Sequence, residues 1–345
     1  MKTRYGLFQY EWLYKHHNIL RDYAFHIYKK GVLVKKILVF FLLLFCFPPF
    51  AFGQPKNTIK VGILPILDSL PIYVALDKGY FKDKGIDVEI IPCASAAERD
   101  QLMAAGALDI IINDLIALAL FNKDRINLVA IRYAMLPQKD HPQFYILSSK
   151  RSGINHPKGL KNVPVGISEA TIIHYVTERL LEGSGLKKEE IRFIPIQRIP
   201  DRLSALERGE VDAATLPDPL AILAMKKGAV LVLDDSKEKS YSGSIYSVRK
   251  EFLEKNLKTT RAFLLSINKA IEDINKDKGK WANLIVEKKL VPPVLLNSFK
   301  IPTYPSFDVP DNKKWEDIML WLRDRSLIRT SISYNDSIKD ILRLR

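Results

Sequence analysis

Cysteine is nearly missing from this 345-residue chain, which holds only Cys46 and Cys93. Cys46 lies in an apolar stretch near the N-terminus. If that stretch is removed, Cys93 stands alone and no internal disulfide can form. A lone cysteine reads first as a small buried hydrophobe and only second as a reactive thiol. Histidine is scarce too. Beyond residue 53 there are only His141, His156 and His174, and their spacing is not that of metal ligands. No HExxH, CxxC or P-loop pattern occurs, so the usual signatures of zinc-protease, dithiol and nucleotide-hydrolase chemistry are missing. His174, inside TIIHYVTERL, reads as an ordinary helix residue. The apolar run Ile37 to Phe47 has 11 residues, short of the roughly 20 that span a membrane. A basic stripe with interleaved aromatics is also missing, which argues against nucleic acid as a partner.

What is there is a globular composition, 47% hydrophobic and 27% charged, with room for two domains. The net charge of +14 is uneven. Residues 1–53 carry eight Lys/Arg and two acids; the rest holds 45 basic and 37 acidic residues of mixed placement, a net of +8. KKILVFFLLLFCFPPFAFGQ (35–54) has the parts of a secretory signal: Lys35 and Lys36, the apolar run, Pro48 and Pro49, then Ala51 and Gly53 at −3 and −1 of a cut before Gln54. Residues 34–53 are therefore expected to be a signal peptide and the mature chain extracytoplasmic, with a retained membrane anchor as the alternative. Phe45 is bulky where a lipobox before Cys46 needs a small residue. Residues 1–33 look like neither signal nor domain, and are expected to be an extension of the gene model ahead of a start near Val32 to Val34. N-terminal sequencing of the native precursor tests this.

From Thr58 short apolar strands alternate with amphipathic helices. IKVGILPI (59–66), IDVEIIP (86–92), LDIII (108–112) and NLVAIRY (127–133) read as strands, with helices between. Ser95 and Glu98 form an S-x-x-E capping box, and Gly106 supplies the stop. A second series follows: VPVGIS (163–168), IRFIPI (191–196), VDAATL (211–216) and AVLVLDD (229–235). Two βαβ series imply two α/β lobes with mostly parallel sheets. The series echo each other. ERDQLMAAGALDIIINDLIALA starts at Glu98 and DRLSALERGEVDAATLPDPLAILA at Asp201, matching Gly106 to Gly209 and Asp109 to Asp212; with one inserted residue Asp114 meets Asp218. Phe263, Ile267, Ile271 and Ile274 fall on one helical face further on.

LDSLPIYVALDKGYFKDKGIDVEII (67–91), LMAAGALDIII (102–112) and VDAATLPDPLAILA (211–224) together resemble the type II periplasmic substrate-binding proteins of ABC importers. The branch is the nitrate/sulfonate/taurine and thiamine-precursor binding group, and the resemblance covers about residues 57–330. It implies a two-lobed α/β fold with two hinge crossings. Lobe one is expected over 57–144 plus 246–345 and lobe two over 145–245. QFYILSS (143–149) and GSIYSVR (243–249) stand where the crossings belong. It further implies a monomer without cofactor that closes on a small-molecule ligand and delivers it to the transmembrane permease.

In parallel α/β sheets ligands meet the carboxyl ends of strands and the N-termini of helices. That rule selects Asp68, Ser69, Ser95, Asn113 and Asp114 in lobe one, and Ser168, Glu169, Thr171, Asp218 and Ser244 in lobe two or near its crossing. Each has a plainer reading, since Ser95, Ser168 and the aspartates also suit helix N-caps. Asp109 and Asp212 read as turn residues. The set carries four acids and no lysine; Arg99 is the nearby cation. Sulfonate or nitrate needs donors and tolerates few carboxylates. The expectation is therefore a ligand with amino or cationic groups, such as an aminopyrimidine, although helix dipoles favour anions. Two enzyme types share this fold: pyrimidine synthases of thiamine biosynthesis, which carry a cysteine-rich motif, and certain lyases of menaquinone synthesis. No catalytic or metal-ligating residue is expected here.

Overall fold

A computed structural model describes residues 58–237, 242–296 and 299–343. The stretches expected to be a signal peptide and an upstream extension, and Cys46, lie outside the described residues. Among the described residues ten strands alternate with helices. The first series runs β1 (Thr58–Ile63), α1 (Leu70–Asp77), β2 (Asp87–Pro92), α2 (Ala96–Ala104), β3 (Ile110–Asp114), α3 (Leu115–Phe121) and β4 (Leu128–Met135). The second runs β5 (Phe144–Ser148), β6 (Pro164–Ile167), α4 (Ile172–Gly183), β7 (Arg192–Pro195), α5 (Ile199–Arg208), β8 (Ala213–Pro217), α6 (Leu220–Lys226) and β9 (Val230–Asp234). β10 (Ser244–Arg249), the long α7 (Leu257–Lys276) and α8 (Asn312–Asp324) follow.

The strands form two five-stranded sheets, ordered β2-β1-β3-β10-β4 and β7-β6-β8-β5-β9. The orders match under exchange of β1 for β6, β2 for β7, β3 for β8, β10 for β5 and β4 for β9. Each sheet has one antiparallel strand, β10 against β3 and β4 in the first and β5 against β8 and β9 in the second. The two stretches read as crossings thus enter the sheets as these antiparallel strands. The chain changes sheet just before each, between β4 and β5 and between β9 and β10.

The internal echo extends to atomic detail. Gly106 (φ +74°) and Gly209 (φ +67°) both end a helix in the left-handed region, where a side chain is disfavoured. In α2, Arg99 Nη1 donates to the Ile112 carbonyl at 2.8 Å; in α5, Arg202 Nε donates to the Thr215 carbonyl at 2.7 Å. Both bonds run 13 residues along the chain. Each arginine therefore pins its helix to the middle of the next strand. Arg202 is fully buried, and donates also to the Ile196 carbonyl at 2.6 Å and Ser168 Oγ at 2.9 Å.

Burial follows the apolar periodicity. Phe263, Ile267, Ile271 and Ile274 of α7 are all buried in the core beside the first sheet, and Phe263 stacks on Phe81 at 5.4 Å. α8 joins two regions. It packs on α3, while its Asp317 accepts from Tyr175 Oη at 2.5 Å and Arg179 Nη2 at 2.8 Å, both on α4.

Candidate functional site

Where the carboxyl ends of the parallel strands come together lies a cavity of about 140 Å³. Engineered apolar cavities near 150 Å³ take a benzene ring, so the space suits one small molecule. Asp68, Arg99, Asn113 and Asp114 line it from the first sheet and its helices. Asp218 and Phe144 come from the second sheet, His141 and Gln143 from the β4–β5 connection, and Gly243 and Ser244 from the start of β10.

Of the ten residues expected from sequence, Asp68, Asn113, Asp114, Asp218 and Ser244 are brought together here. Ser69, Ser95, Ser168, Glu169 and Thr171 do not line the cavity, and local bonding shows why for four of them. Ser69 is fully buried and donates to the Leu64 carbonyl at 2.9 Å. Ser95 caps α2 by accepting from Glu98 N at 3.1 Å, and the Glu98 carboxylate reaches back to Ala94 N at 2.7 Å. Ser168 donates to the Gln197 carbonyl while Arg202 donates to it. Thr171 caps α4 through Ile173 N and donates to the Ser168 carbonyl at 2.7 Å. Glu169 points to solvent.

Asp114 combines both readings. It caps α3, its Oδ1 accepting from Ala117 N at 2.9 Å, and it also faces the cavity. Burial raises its pKa above the usual carboxylate range; the Ala117 N–H and Arg99 oppose this, and Asp100 adds to it. Asp218 is raised by burial too, opposed by His141. Its side chain is 6% exposed, with His141 Nε2 at 3.2 Å from Oδ2, yet neither oxygen accepts an aligned hydrogen bond. Asp68 is likewise raised by burial; the Ser244 side chain, its own backbone N–H and His141 pull the other way, and Asp218 adds to the rise. Asn113 is buried within β3. Ser247 Oγ donates to its Oδ1 at 2.6 Å, while its Nδ2 has no acceptor. Arg99 is held by Asp100, Nε to Oδ1 at 2.8 Å and Nη2 at 2.7 Å.

Behind the wall, Asp235 joins the two connections between the sheets. Its Oδ1 accepts from Gln143 N at 2.8 Å and Phe144 N at 3.2 Å, and its Oδ2 from Ser242 Oγ. Burial lifts its pKa to about 6, against the pull of these three donors. Asp235, Gln143 and Gly243 escaped the rule of strand ends because they sit on the connections. Cys93 is buried, is not among the lining residues, and its thiol is pushed up by burial. Among the described residues no group of three His, Cys, Asp or Glu side chains is placed to hold a metal ion.

Two similar sheets, one antiparallel strand in each and a polar cavity at their joint define a two-lobed binding-protein architecture. The solved alkanesulfonate-binding protein SsuA of Xanthomonas axonopodis pv. citri has the same fold, with a TM-score of 0.68 at 14% identity over 83% of this chain and 99% of that one. The family profile described as NMT1/THI5 like matches residues 67–278, and the chain belongs to that family. A putative aliphatic sulfonates-binding protein of Bacillus subtilis is 28% identical over 294 residues, 81% of this chain and 86% of the relative. The 4-amino-5-hydroxymethyl-2-methylpyrimidine phosphate synthase THI13 of Saccharomyces cerevisiae is 26% identical over 247 residues, 67% of this chain and 70% of that protein. The relatives thus include one named as a binding protein and one named as a synthase.

Proposed function

We propose that this chain is the extracytoplasmic solute-binding component of an ABC importer. Its lobes, 57–144 plus 246–345 and 145–245, close by hinge motion on a small polar organic solute and present it to a membrane permease. The observation that carries the reading is the cavity itself: polar side chains from both sheets converge on it, and Asn113 Nδ2 is a buried polar atom left without an acceptor. Buried polar groups of that kind are costly unless something else satisfies them. A bound solute does so. The relatives named as binding proteins and the secretory pattern at 35–54 support the same role. The synthase relative keeps an enzymatic reading as the alternative, but Cys93 is buried and is not among the residues that line the cavity.

Native mass spectrometry of the protein purified from its own cells tests the proposal. The expected result is a small molecule released on denaturation, and loss of uptake of that molecule when the gene is deleted. Chemical turnover of the released molecule by the protein refutes the reading.

A further inference from the structure

Asp235 is fully buried and is not among the lining residues, yet three segments of the cavity wall are tied to it. Its Oδ1 accepts from Gln143 N at 2.8 Å and from Phe144 N at 3.2 Å, and its Oδ2 accepts from Ser242 Oγ. The Phe144 carbonyl returns the contact by accepting from Asp235 N at 3.2 Å. Gln143 passes the hold on. Its own carbonyl accepts from Asp218 N at 3.0 Å, so the backbone of that cavity carboxylate is seated on a residue that Asp235 fixes. On the other side, Ser242 precedes Gly243 and Ser244, which line the cavity, and Ser244 pairs with Asp114 and Met135 in the first sheet. Gln143 and Phe144 stand where the chain enters β5, and Ser242 stands just before it enters β10. These are the two places where the chain changes sheet. An ionised carboxylate only accepts, and it has room for several donors at once. Two amides and a hydroxyl converging on one point suit such a group.

We infer that Asp235 is a positioning residue: it binds the two inter-sheet connections into one joint and thereby sets the wall formed by Gln143, Phe144, Asp218, Gly243 and Ser244 before any solute arrives. The inference rests on the solute-binding reading above for its purpose and deepens it. A wall ordered in advance spares the ordering cost that binding otherwise carries. A joint held by one side chain also makes the two connections turn together, so the sheets move about a single hinge. Asp235 does this without touching the solute, acting through the amides and the hydroxyl that it holds.

Amide hydrogen exchange and lobe-to-lobe distances, measured on the whole protein dialysed free of small molecules, test this. Asp235→Leu keeps the shape and removes every acceptor. Asp235→Asn keeps an acceptor for the two amides. Ser242→Ala cuts only the tie to the second connection. With Asp235→Leu the amides of Gln143, Phe144 and Asp218 should exchange about tenfold faster or more, while those of the edge strand β2 stay as in wild type. Asp235→Asn should restore slow exchange at the three amides. Spin labels attached through Lys82→Cys and Lys158→Cys, exposed positions in the first and second lobes, should show a broader distance distribution with Asp235→Leu and with Ser242→Ala than with wild type. Unchanged exchange at the three amides, or equal acceleration in β2, makes Asp235 a general stabiliser and overturns the inference. A distance distribution that neither variant broadens overturns it too. If Asp235→Leu fails to fold, Ser242→Ala decides, and a distribution as narrow as that of wild type counts against the joint. No solute enters these measurements, so the solute-binding role is judged separately by the co-purified molecule.

Discussion

Asp114 holds a helix and faces the cavity, and two substitutions separate these duties. Asp114→Ala removes the acceptor that meets Ala117 N at 2.9 Å. Loss of such a cap costs about 1 kcal/mol. For a unit larger than 200 residues that is a fall in Tm of about 2 °C. Asp114→Asn keeps the cap, since asparagine caps as well as aspartate, and removes only the charge. Burial holds the Asp114 pKa above its unfolded value. Its contribution to stability is therefore complete below the unfolded pKa and declines as pH rises through the folded one. The asparagine variant should match or exceed wild-type stability at pH 7, while the alanine variant falls below it. Both should bind the native solute more weakly, because both remove a carboxylate from the wall. The assay is urea denaturation at pH 7 beside calorimetry with the co-purified solute. An alanine variant as stable as wild type refutes the cap. An asparagine variant as unstable as the alanine one refutes the separation of cap from charge. Undiminished affinity in both refutes the contact with solute.

Three further outcomes are expected. The Asp235 pKa is raised to about 6, so its contribution is full below about pH 4 and lost as pH climbs past 6, a span worth up to about 3 kcal/mol. Asp235→Asn should therefore gain on wild type between pH 4 and pH 7 in denaturant titrations, and a pH-independent difference counts against the buried carboxylate. Gly243 has φ +152°, and a Cβ there would stand 3.1 Å from Leu136 Cδ2 and 3.4 Å from the Met135 carbonyl. Gly243→Ala should cost about 1–3 kcal/mol and displace Ser244 from the cavity; unchanged melting and affinity would contradict this. Arg202→Met strips donors from the Thr215 and Ile196 carbonyls and from Ser168 Oγ. Relief of a buried charge offsets part of the loss, so the fall should be about 2–4 kcal/mol by denaturation, and a variant as stable as its parent removes the argument.

Much of the fold was legible because its cues are local. The Ser95 cap, the glycine stops at 106 and 209, the two strand–helix series and the buried stripe of α7 each depend on residues a few positions apart. The cavity was half legible. The rule of strand ends found Asp68, Asn113, Asp114 and Asp218, because chain direction in a parallel sheet fixes which end faces the cleft, while Ser244 came from its place near the crossing stretch. It also chose Ser69, one residue from Asp68, whose hydroxyl turns back to the Leu64 carbonyl. Adjacent residues of a tight turn point in different directions, and composition does not reveal which faces outward.

The order of elements and the caps were thus set by the sequence alone, since propensity, periodicity and capping act within one or two turns. The company that distant residues keep was decided by the tertiary structure. Asp68 meets Asp218 and His141 at one cavity only after the chain has changed sheets. Asp235 bonds Gln143 and Phe144 from 92 and 91 positions away. Ser168 becomes a partner of the buried Arg202, 34 residues on, and is turned from the cavity. Contacts of that range depend on how two sheets pack, and packing is settled by the whole apolar surface at once, not by any short stretch of it.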